Sequence, residues 1–244
     1  TNASCAELRE QLLKVLCFFN YPFDAVQGRQ CVRTFHAAMG SVAKSLLDNP
    51  RWFEQLDDPQ AASRELDNPL SAGRLRPAQQ RLLKQAYQQC YAEQPAFRQK
   101  VHSLLQLPPP SDTGKRLPKA PLDTYKLAGE FSAAPLYEAF YAQAGFAESI
   151  GVELSTMQPQ RLDTAIPVRE FLEALRLFWP YFERALQAQG LMTFNGAFAE
   201  LTARLNADGK SVSPQLLAPF SHLLIDEFQD ISPQIVQWLQ AVQR

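Results

Sequence analysis

His222-Leu223-Leu224-Ile225 runs directly into Asp226-Glu227-Phe228-Gln229-Asp230, and this stretch decides the fold of the 244-residue chain. A short apolar run without polar alternation predicts a strand near 222–226 that is buried on both faces of a parallel sheet. Ser232-Pro233 comes next and supplies a good N-cap followed by a good first helical residue. With the apolar spacing of residues 235–242, the stretch predicts a strand, an acidic turn and a helix, which together form a local α/β unit.

The acidic turn carries two carboxylates where an α/β sheet holds its ligands, at the carboxyl end of a buried parallel strand. In nucleotide hydrolases of the P-loop type, an aspartate in the place of Asp226 holds Mg²⁺ bound to the β- and γ-phosphates. A glutamate in the place of Glu227 orients and deprotonates the attacking water. A solvated turn remains the alternative, because apolar residues followed by Asp-Glu occur by chance at many strand ends.

Composition and charge exclude several classes of protein. Apolar residues make up 46% of the chain and charged residues 20%, a globular balance that excludes wholesale disorder. Lys and Arg number 24 against 25 Asp and Glu, so a nucleic-acid partner would have to be bound by local basic patches. The cysteines lack metal-ligand spacing, which predicts reduced thiols. With neither a signal peptide nor a transmembrane run in this sequence, we expect a cytoplasmic protein with no membrane partner.

Helical periodicity predicts the structure near the N-terminus. An apolar stripe predicts a first helix with one buried face, ended by Asn20-Tyr21-Pro22. The residues of that face are Leu8, Leu12, Val15, Leu16 and Phe19. Residues 31–35 predict a short strand. A second helix follows that strand, with an inner face made of Phe35, Met39, Val42 and Leu46.

The middle of the chain also has a helical pattern. A clear apolar stripe between Leu82 and Tyr91 predicts a core helix, and two further helices are predicted over 136–147 and 168–187. The last of these contains Pro180, which is expected to kink or split it. Its aromatic side chains recur at helical spacing, which favours core packing over a platform for stacking bases.

A basic, proline-rich connector at 107–121 interrupts the helical pattern and predicts an exposed loop. Its cations Lys115, Arg116 and Lys119 are candidates for contacts with the DNA backbone. A simple solvated linker is the alternative.

Three sequence motifs, in the right order, carry a resemblance to a known family. Asp226-Glu227-Phe228-Gln229-Asp230 resembles the second motif, DE(F/Y)QD, of the UvrD/Rep-type superfamily 1 DNA helicases. The residues from Thr1 to Arg9 resemble the motif TNKAAAEMR, and Thr34-Phe35-His36 resembles the TFH motif; both contact single-stranded DNA in that family. Taken alone, His36 is equally consistent with a histidine packed at a helix start.

The resemblance implies a mainly α fold in three parts. Residues 1–44 and 216–244 would belong to a RecA-like α/β motor domain with a parallel sheet, and residues 45–215 would form a helical insertion subdomain. The predicted strands near 31–35 and 222–226 would then lie in one sheet. The chain begins with Thr1 and not with Met, which predicts a piece excised from something longer.

The resemblance also implies a function: the chain would be part of an ATP-dependent 3′→5′ DNA helicase or translocase that acts in DNA repair or recombination. Its cofactors would be ATP and Mg²⁺. Asp226 would hold Mg²⁺, Glu227 would act as general base, and Gln229 would sense the γ-phosphate. The single-strand path would be lined by Thr1, Asn2, Thr34, Phe35 and His36. Partners would be single-stranded and duplex DNA and other repair or recombination proteins, and a fused nuclease remains open.

Several departures from the family pattern modify this expectation. Ala3 stands where the family usually has Lys, and Thr193-Phe194-Asn195 stands where a DFD-like sequence is common. The phosphate-wrapping motif GxxxxGK(S/T) does not occur in the 244 residues, so the isolated piece is expected to be inactive and to bind no nucleotide. The alternative is a non-catalytic helical module that binds DNA or a repair protein.

Overall fold

The computed structural model describes residues 1–61, 63–67, 74–110, 118–127, 130, 132–207 and 222–243, which are mainly helical, as predicted. The helices are α1 (Asn2–Phe18), α2 (Ala25–Cys31), α3 (Phe35–Leu46), α4 (Pro77–Glu93), α5 (Pro95–Leu104), α6 (Leu136–Ser149), α7 (Ile166–Ala188), α8 (Phe194–Ala207) and α9 (Pro233–Val242). Short 3₁₀ turns lie at Phe53–Gln55, Pro159–Arg161 and Phe228–Asp230. No helix in these ranges is long and apolar enough to cross a membrane.

Two small sheets connect the helices. β1 (Arg51–Trp52) pairs in parallel with β4 (Leu191–Met192), and β2 (Thr124–Tyr125) pairs antiparallel with β3 (Ala134–Pro135). The parallel pair joins the chain just after α3 to the chain just before α8. It therefore brings together the two ends of the segment that runs from residue 51 to residue 192.

The first core lies among α4, α5, α6 and α7. Its centre is aromatic: Tyr87 contacts Phe97, Phe140 and Phe178 edge-on or tilted, with ring centroids 5.6 to 6.4 Å apart. The predicted stripe of α4 is confirmed as part of this core. Aromatic rings supply large apolar areas, so this cluster accounts for much of the stability of the helical part.

The second core lies among α3, α8 and α9. Met39 and Val42 of α3 pack there with Phe198 of α8 and Trp238 of α9. The predicted helix after residue 35 is confirmed, and its predicted inner face points into this core. α3 and α9 lie near opposite ends of the sequence, and contacts with α8 bring both helices into one core.

The strand predicted at 31–35 is wrong. Cys31 is the last residue of α2, and Phe35 is the first residue of α3. Side-chain caps explain the difference: Asp24 accepts hydrogen bonds from the backbone N–H groups of Val26 and Gln27, and Thr34 accepts one from Ala37. Both caps favour helix and leave only three residues between α2 and α3.

The strand predicted at 222–226 is also wrong. Residues 222–225 have no regular secondary structure, and the side chains of Leu223 and Leu224 are 54% and 95% exposed. A strand is buried on both faces only when other strands and helices surround it. Among the described residues no strand pairs with this stretch, so the predicted parallel sheet shared with 31–35 is not formed there.

Two predictions about helices need correction. α1 ends before Asn20 as predicted, but its predicted face is not buried: Val15 and Phe19 are 52% and 71% exposed. Leu12 and Leu16 of the same face are only half-buried. α7 is not split at Pro180, because Pro180 lies on the exposed side while the opposite face, including Phe178 and Phe182, is anchored in the first core.

Candidate functional site

The acidic turn is exposed and internally hydrogen-bonded. The backbone N–H of Glu227 donates to Asp226 Oδ1 at 3.0 Å, and Gln229 Nε2 donates to the Glu227 carboxylate. Glu227 has a left-handed backbone with φ of 51°, which turns the chain sharply between the two carboxylates. Asp226, Glu227 and Gln229 all face solvent. The arrangement presents carboxylate oxygens to a ligand from solution.

α9 provides a rigid base directly after this turn. Ser232 caps the helix by accepting from Ile235 N at 3.4 Å, as the sequence predicted. Gln234 is buried and donates from Nε2 to the Asn195 carbonyl of α8 at 3.0 Å, and Trp238 is buried in the second core. The acidic turn is therefore tied to the second core through the helix that follows it.

The acidic turn can supply a single carboxylate ligand to Mg²⁺, but not a complete set of protein ligands. The described residues contain no group of three or more His, Cys, Asp or Glu side chains that could hold a metal ion. Mg²⁺ commonly takes only one or two protein carboxylates and completes its shell with water and phosphate oxygens. The exposed Asp226 carboxylate suits that role, as one ligand of a metal that arrives with a nucleotide.

The predicted DNA-contacting residues lie at the starts of α1 and α3. Thr1 is exposed and caps α1 by accepting from Ser4 N at 3.3 Å. Thr34 caps α3, and its hydroxyl also donates to the Leu66 carbonyl at 2.7 Å. Phe35 is half-buried against the second core. The two threonine side-chain oxygens thus cap the helices as acceptors, and the Thr34 hydroxyl proton is bonded to Leu66.

His36 is buried, although the family resemblance predicts a DNA contact. Its side chain is only 7% exposed, and its ring lies 5.3 Å from the ring of Phe194 and 5.4 Å from that of Phe198. Burial lowers the pKa of His36 to about 4, partly offset by the nearby Asp67 carboxylate. The position matches a histidine packed at a helix start, and the DNA contact stays a prediction.

A segment that the sequence analysis did not single out covers part of this surface. Asn2 Nδ2 donates to the Glu65 carbonyl at 2.7 Å, and Asn2 N donates to Asp67 Oδ2 at 2.8 Å. Arg9 donates to the Val32 carbonyl and forms an ion pair with Glu65 at 2.7 Å. The contacts with Glu65 and Asp67 join residues more than fifty positions apart, so no local pattern in the sequence could have located them.

The connector is only partly described. Lys115 and Arg116 lie outside the described residues, while Lys119 is exposed. Gln88 of α4 holds the connector on both sides of Lys119, since its amide accepts from Ala120 N at 2.9 Å and donates to the Pro118 carbonyl at 2.8 Å. These two hydrogen bonds leave the Lys119 side chain exposed, where its ammonium group can contact either a phosphate or water.

The described residues thus contain an exposed DEFQD turn before a capped helix, within a mainly helical fold. A family model described as the UvrD/REP helicase N-terminal domain matches residues 1–244, and the chain therefore belongs to the UvrD/REP helicase family. Comparisons with curated proteins and with solved structures found no significant match. Membership indicates a helicase that binds DNA and ATP.

Proposed function

We propose that these residues form part of an ATP-dependent 3′→5′ DNA helicase or translocase of the UvrD/Rep type that acts in repair or recombination. The observation that carries the proposal is the DEFQD turn, whose Asp226 and Glu227 carboxylates are exposed at the start of α9. Membership of the UvrD/REP family supports the same activity. The direction of movement and the pathway follow from the resemblance alone.

In this proposal each polar residue of the turn has a separate role. Asp226 holds Mg²⁺, which neutralises the charge developing on the nucleotide phosphates. Glu227 orients the attacking water and accepts its proton. Gln229 already donates to the Glu227 carboxylate, so a movement of its amide toward the γ-phosphate would change the orientation of the base. That hydrogen bond supports a link between phosphate sensing and hydrolysis.

The DNA contacts in this proposal are of two kinds. Thr1, Asn2 and Thr34 offer hydroxyl, amide and backbone donors to phosphates of single-stranded DNA, and the half-buried Phe35 offers a ring that can stack on a base. A contact of His36 with DNA requires that its ring, buried between Phe194 and Phe198, first be uncovered. Lys115, Arg116 and Lys119 contact the backbone of duplex DNA. For Lys119 this is supported by the exposure of its side chain.

We also propose the division of the chain into motor residues 1–44 and 216–244 and an insertion at 45–215. The first core supports it, because all of its buried members lie between Phe53 and Leu191. The second core adds a refinement: α8 lies inside the insertion by sequence but packs with α3 and α9. We therefore place α8 with the motor part and the end of the insertion near Met192.

The role of Glu227 can be tested in a chain that also carries a GxxxxGK(S/T) loop. Glu227→Gln keeps the size and polarity of the side chain but removes the base, so we expect ATP binding to remain and hydrolysis to fall about a hundredfold or more. Glu93→Gln, on the exposed surface at the end of α4, is the matched control and should hydrolyse ATP normally. Unchanged hydrolysis in Glu227→Gln would contradict the proposal.

The 244 residues by themselves allow a second test. Since they contain no phosphate-wrapping loop, we expect no steady ATP turnover from them. Turnover that is abolished by Glu227→Gln would show that these residues bind and hydrolyse the nucleotide without that loop.

A non-catalytic helical module is the second candidate, favoured by the separate helical core and by the exposed Lys119. Replacing Lys115, Arg116 and Lys119 with Ala should weaken binding to all duplex sequences alike and reduce the salt slope by up to about three contacts. Fluorescence anisotropy at two salt concentrations measures both quantities. Unchanged affinity and slope would leave the connector without a role in DNA binding.

A further inference from the structure

The segment Glu65-Leu66-Asp67 lies directly on the residues proposed to bind single-stranded DNA. Its carbonyl and carboxylate oxygens are hydrogen-bonded to Asn2 and Thr34. Its Asp67 carboxylate is also close enough to His36 to affect the pKa of that ring. One short acidic segment thus hydrogen-bonds to two of the five residues assigned to the DNA path, and its carboxylate acts electrostatically on a third.

Four hydrogen bonds from the start of α1, Arg9 and the start of α3 to this segment run in one direction. The Asn2 backbone N–H, the Asn2 side-chain amide, the Arg9 guanidinium and the Thr34 hydroxyl are donors, and the segment supplies the oxygen acceptors of these four bonds. A DNA backbone also offers only oxygen acceptors, on its phosphates and sugars, and carries negative charge. The segment therefore satisfies the same donors that a DNA strand would use.

Asp67 occupies the position at which a phosphate is most favourable. Its Oδ2 accepts from the backbone N–H of Asn2, the first residue of the 17-residue helix α1. The free N–H groups and the dipole at a helix start stabilise an anion there, whether carboxylate or phosphate. An incoming phosphate and Asp67 would therefore compete for one donor group.

The segment is anchored mainly by one apolar side chain. Leu66 packs against the second core, and a Cβ built on Gly40 of α3 would lie 2.4 Å from Leu66 Cδ1, so the absence of a side chain at Gly40 makes room for it. The Glu65–Arg9 ion pair is partly exposed, with side-chain exposures of 37% and 16%. Such pairs contribute little to stability and Leu66 is only half-buried, so we expect that releasing the segment costs less free energy than unfolding the second core.

We propose that residues 65–67 act as an internal competitor that occupies the single-strand path until DNA displaces it. The proposal rests on the proposed function, because it needs the starts of α1 and α3 to bind DNA. It makes the affinity of the chain for single strands depend on how firmly the segment is held. Weakening the segment then strengthens DNA binding, whereas the loss of an ordinary structural contact leaves it unchanged or weakens it.

Two variants remove the competitor by different means. Glu65→Gln/Asp67→Asn removes its two charges, and Leu66→Ala removes its anchor without any change of charge. Glu93→Gln/Asp163→Asn is the matched control, since it makes the same two types of substitution at exposed carboxylates outside the proposed DNA path. Binding of a fluorescein-labelled oligothymidylate is measured by anisotropy at low salt, and circular dichroism checks that each variant is folded.

Both segment variants should bind the oligonucleotide about fivefold more tightly than the unchanged chain, with the control close to the unchanged chain. Equal affinity of the segment variants and the unchanged chain would overturn the competitor and leave the DNA function intact. An equal gain in the control would also overturn it, because net charge alone would then explain the effect. If no variant binds, the DNA function itself is contradicted, and the competitor with it.

Carboxyl labelling of the unchanged chain gives an independent reading if Leu66→Ala does not fold. Saturating oligothymidylate should increase the modification of Glu65 and Asp67 by a carbodiimide and an amine, because displacement frees their carboxylates from Arg9 and from the Asn2 N–H. Unchanged or lower modification of these two residues, with binding shown by anisotropy, would overturn the proposal.

Discussion

The Tyr87 hydroxyl is buried in the centre of the first core without a hydrogen-bond partner. A hydroxyl removed from water without a partner costs free energy. Tyr87→Phe removes only this oxygen and keeps the ring contacts, so we expect the free energy of unfolding to rise by about 1 kcal/mol. Urea denaturation followed by circular dichroism measures the change.

Tyr91→Phe is the matched control for Tyr87→Phe on the same helix. The Tyr91 hydroxyl bonds to His102 Nε2 at 2.6 Å, so its removal should lower the free energy of unfolding or leave it unchanged. A loss of stability in Tyr87→Phe would show that its hydroxyl does have a partner, such as a buried water molecule.

Glu54 is a buried carboxyl group at the junction of the two cores. Its Oε1 accepts from the backbone N–H of Phe194, the first residue of α8, at 2.9 Å. Burial, with a smaller contribution from the nearby Glu148 carboxylate, raises the pKa of Glu54 from 4.5 to about 8. Burial likewise raises the pKa of Glu148 to about 7. Both groups therefore keep their protons in the folded chain at a pH where they lose them on unfolding.

The raised pKa of Glu54 predicts a stability that falls as pH rises. Between pH 4.5 and about 8 the folded chain binds more protons than the unfolded chain, so the free energy of unfolding decreases across this range. Glu54→Gln removes the titration and should add on the order of 2 kcal/mol at pH 8, with little effect near pH 4.5. Thermal denaturation at several pH values tests this, with Glu7→Gln as control; a gain independent of pH would refute it.

At the scale of elements, α7 shows how packing overrides a local signal. Pro180 has no N–H to donate to the Arg176 carbonyl, yet the helix continues from Ile166 to Ala188. Pro180→Ala restores the donor on the exposed face. We expect the free energy of unfolding to rise by about 2 kcal/mol, less than the full helix penalty of proline because alanine also frees the unfolded chain.

Pro167→Ala is the matched control within α7, because Pro167 is also exposed but stands in the first turn, where no helical acceptor is lost. It should change stability by only a few tenths of a kcal/mol, up to about 0.5. Similar effects of the two substitutions would show that the missing hydrogen bond at Pro180 carries no cost. Differential scanning calorimetry can compare both variants directly.

At the scale of the whole molecule, two cores share one chain and meet at the β1–β4 pair and at Glu54. Trp179 reports on the first core and Trp238 on the second. In a Trp52→Phe background, Phe198→Leu should lower the urea midpoint seen by Trp238 more than that seen by Trp179. Phe178→Leu should do the reverse, each by a midpoint shift equivalent to about 1 kcal/mol.

Variants that keep only Trp179 or only Trp238 provide the two separate fluorescence readings. Coincident shifts of both readings in both variants would contradict separate cores and show one cooperative unit. That outcome would also weaken the proposed boundary between the insertion and the motor part.

The amino-acid sequence by itself determined the helical elements and the family. Apolar spacing predicted α1, α3, α4, α6, α7 and α9, because helical periodicity is a local property of neighbouring residues. Ser232-Pro233 located the start of α9 for the same reason. Three motifs in order were enough to indicate the helicase family, and the family model that covers residues 1–244 confirms it.

Only the tertiary structure decided which of these residues are buried, paired or covered. Residues 222–225 carry a strand pattern but lack a strand partner among the described residues, and the apolar face of α1 lies exposed. His36 is buried by Phe194 and Phe198, which follow it by more than 150 positions. Burial and strand pairing depend on contacts between distant segments, and those contacts have no signature in the local order of residues.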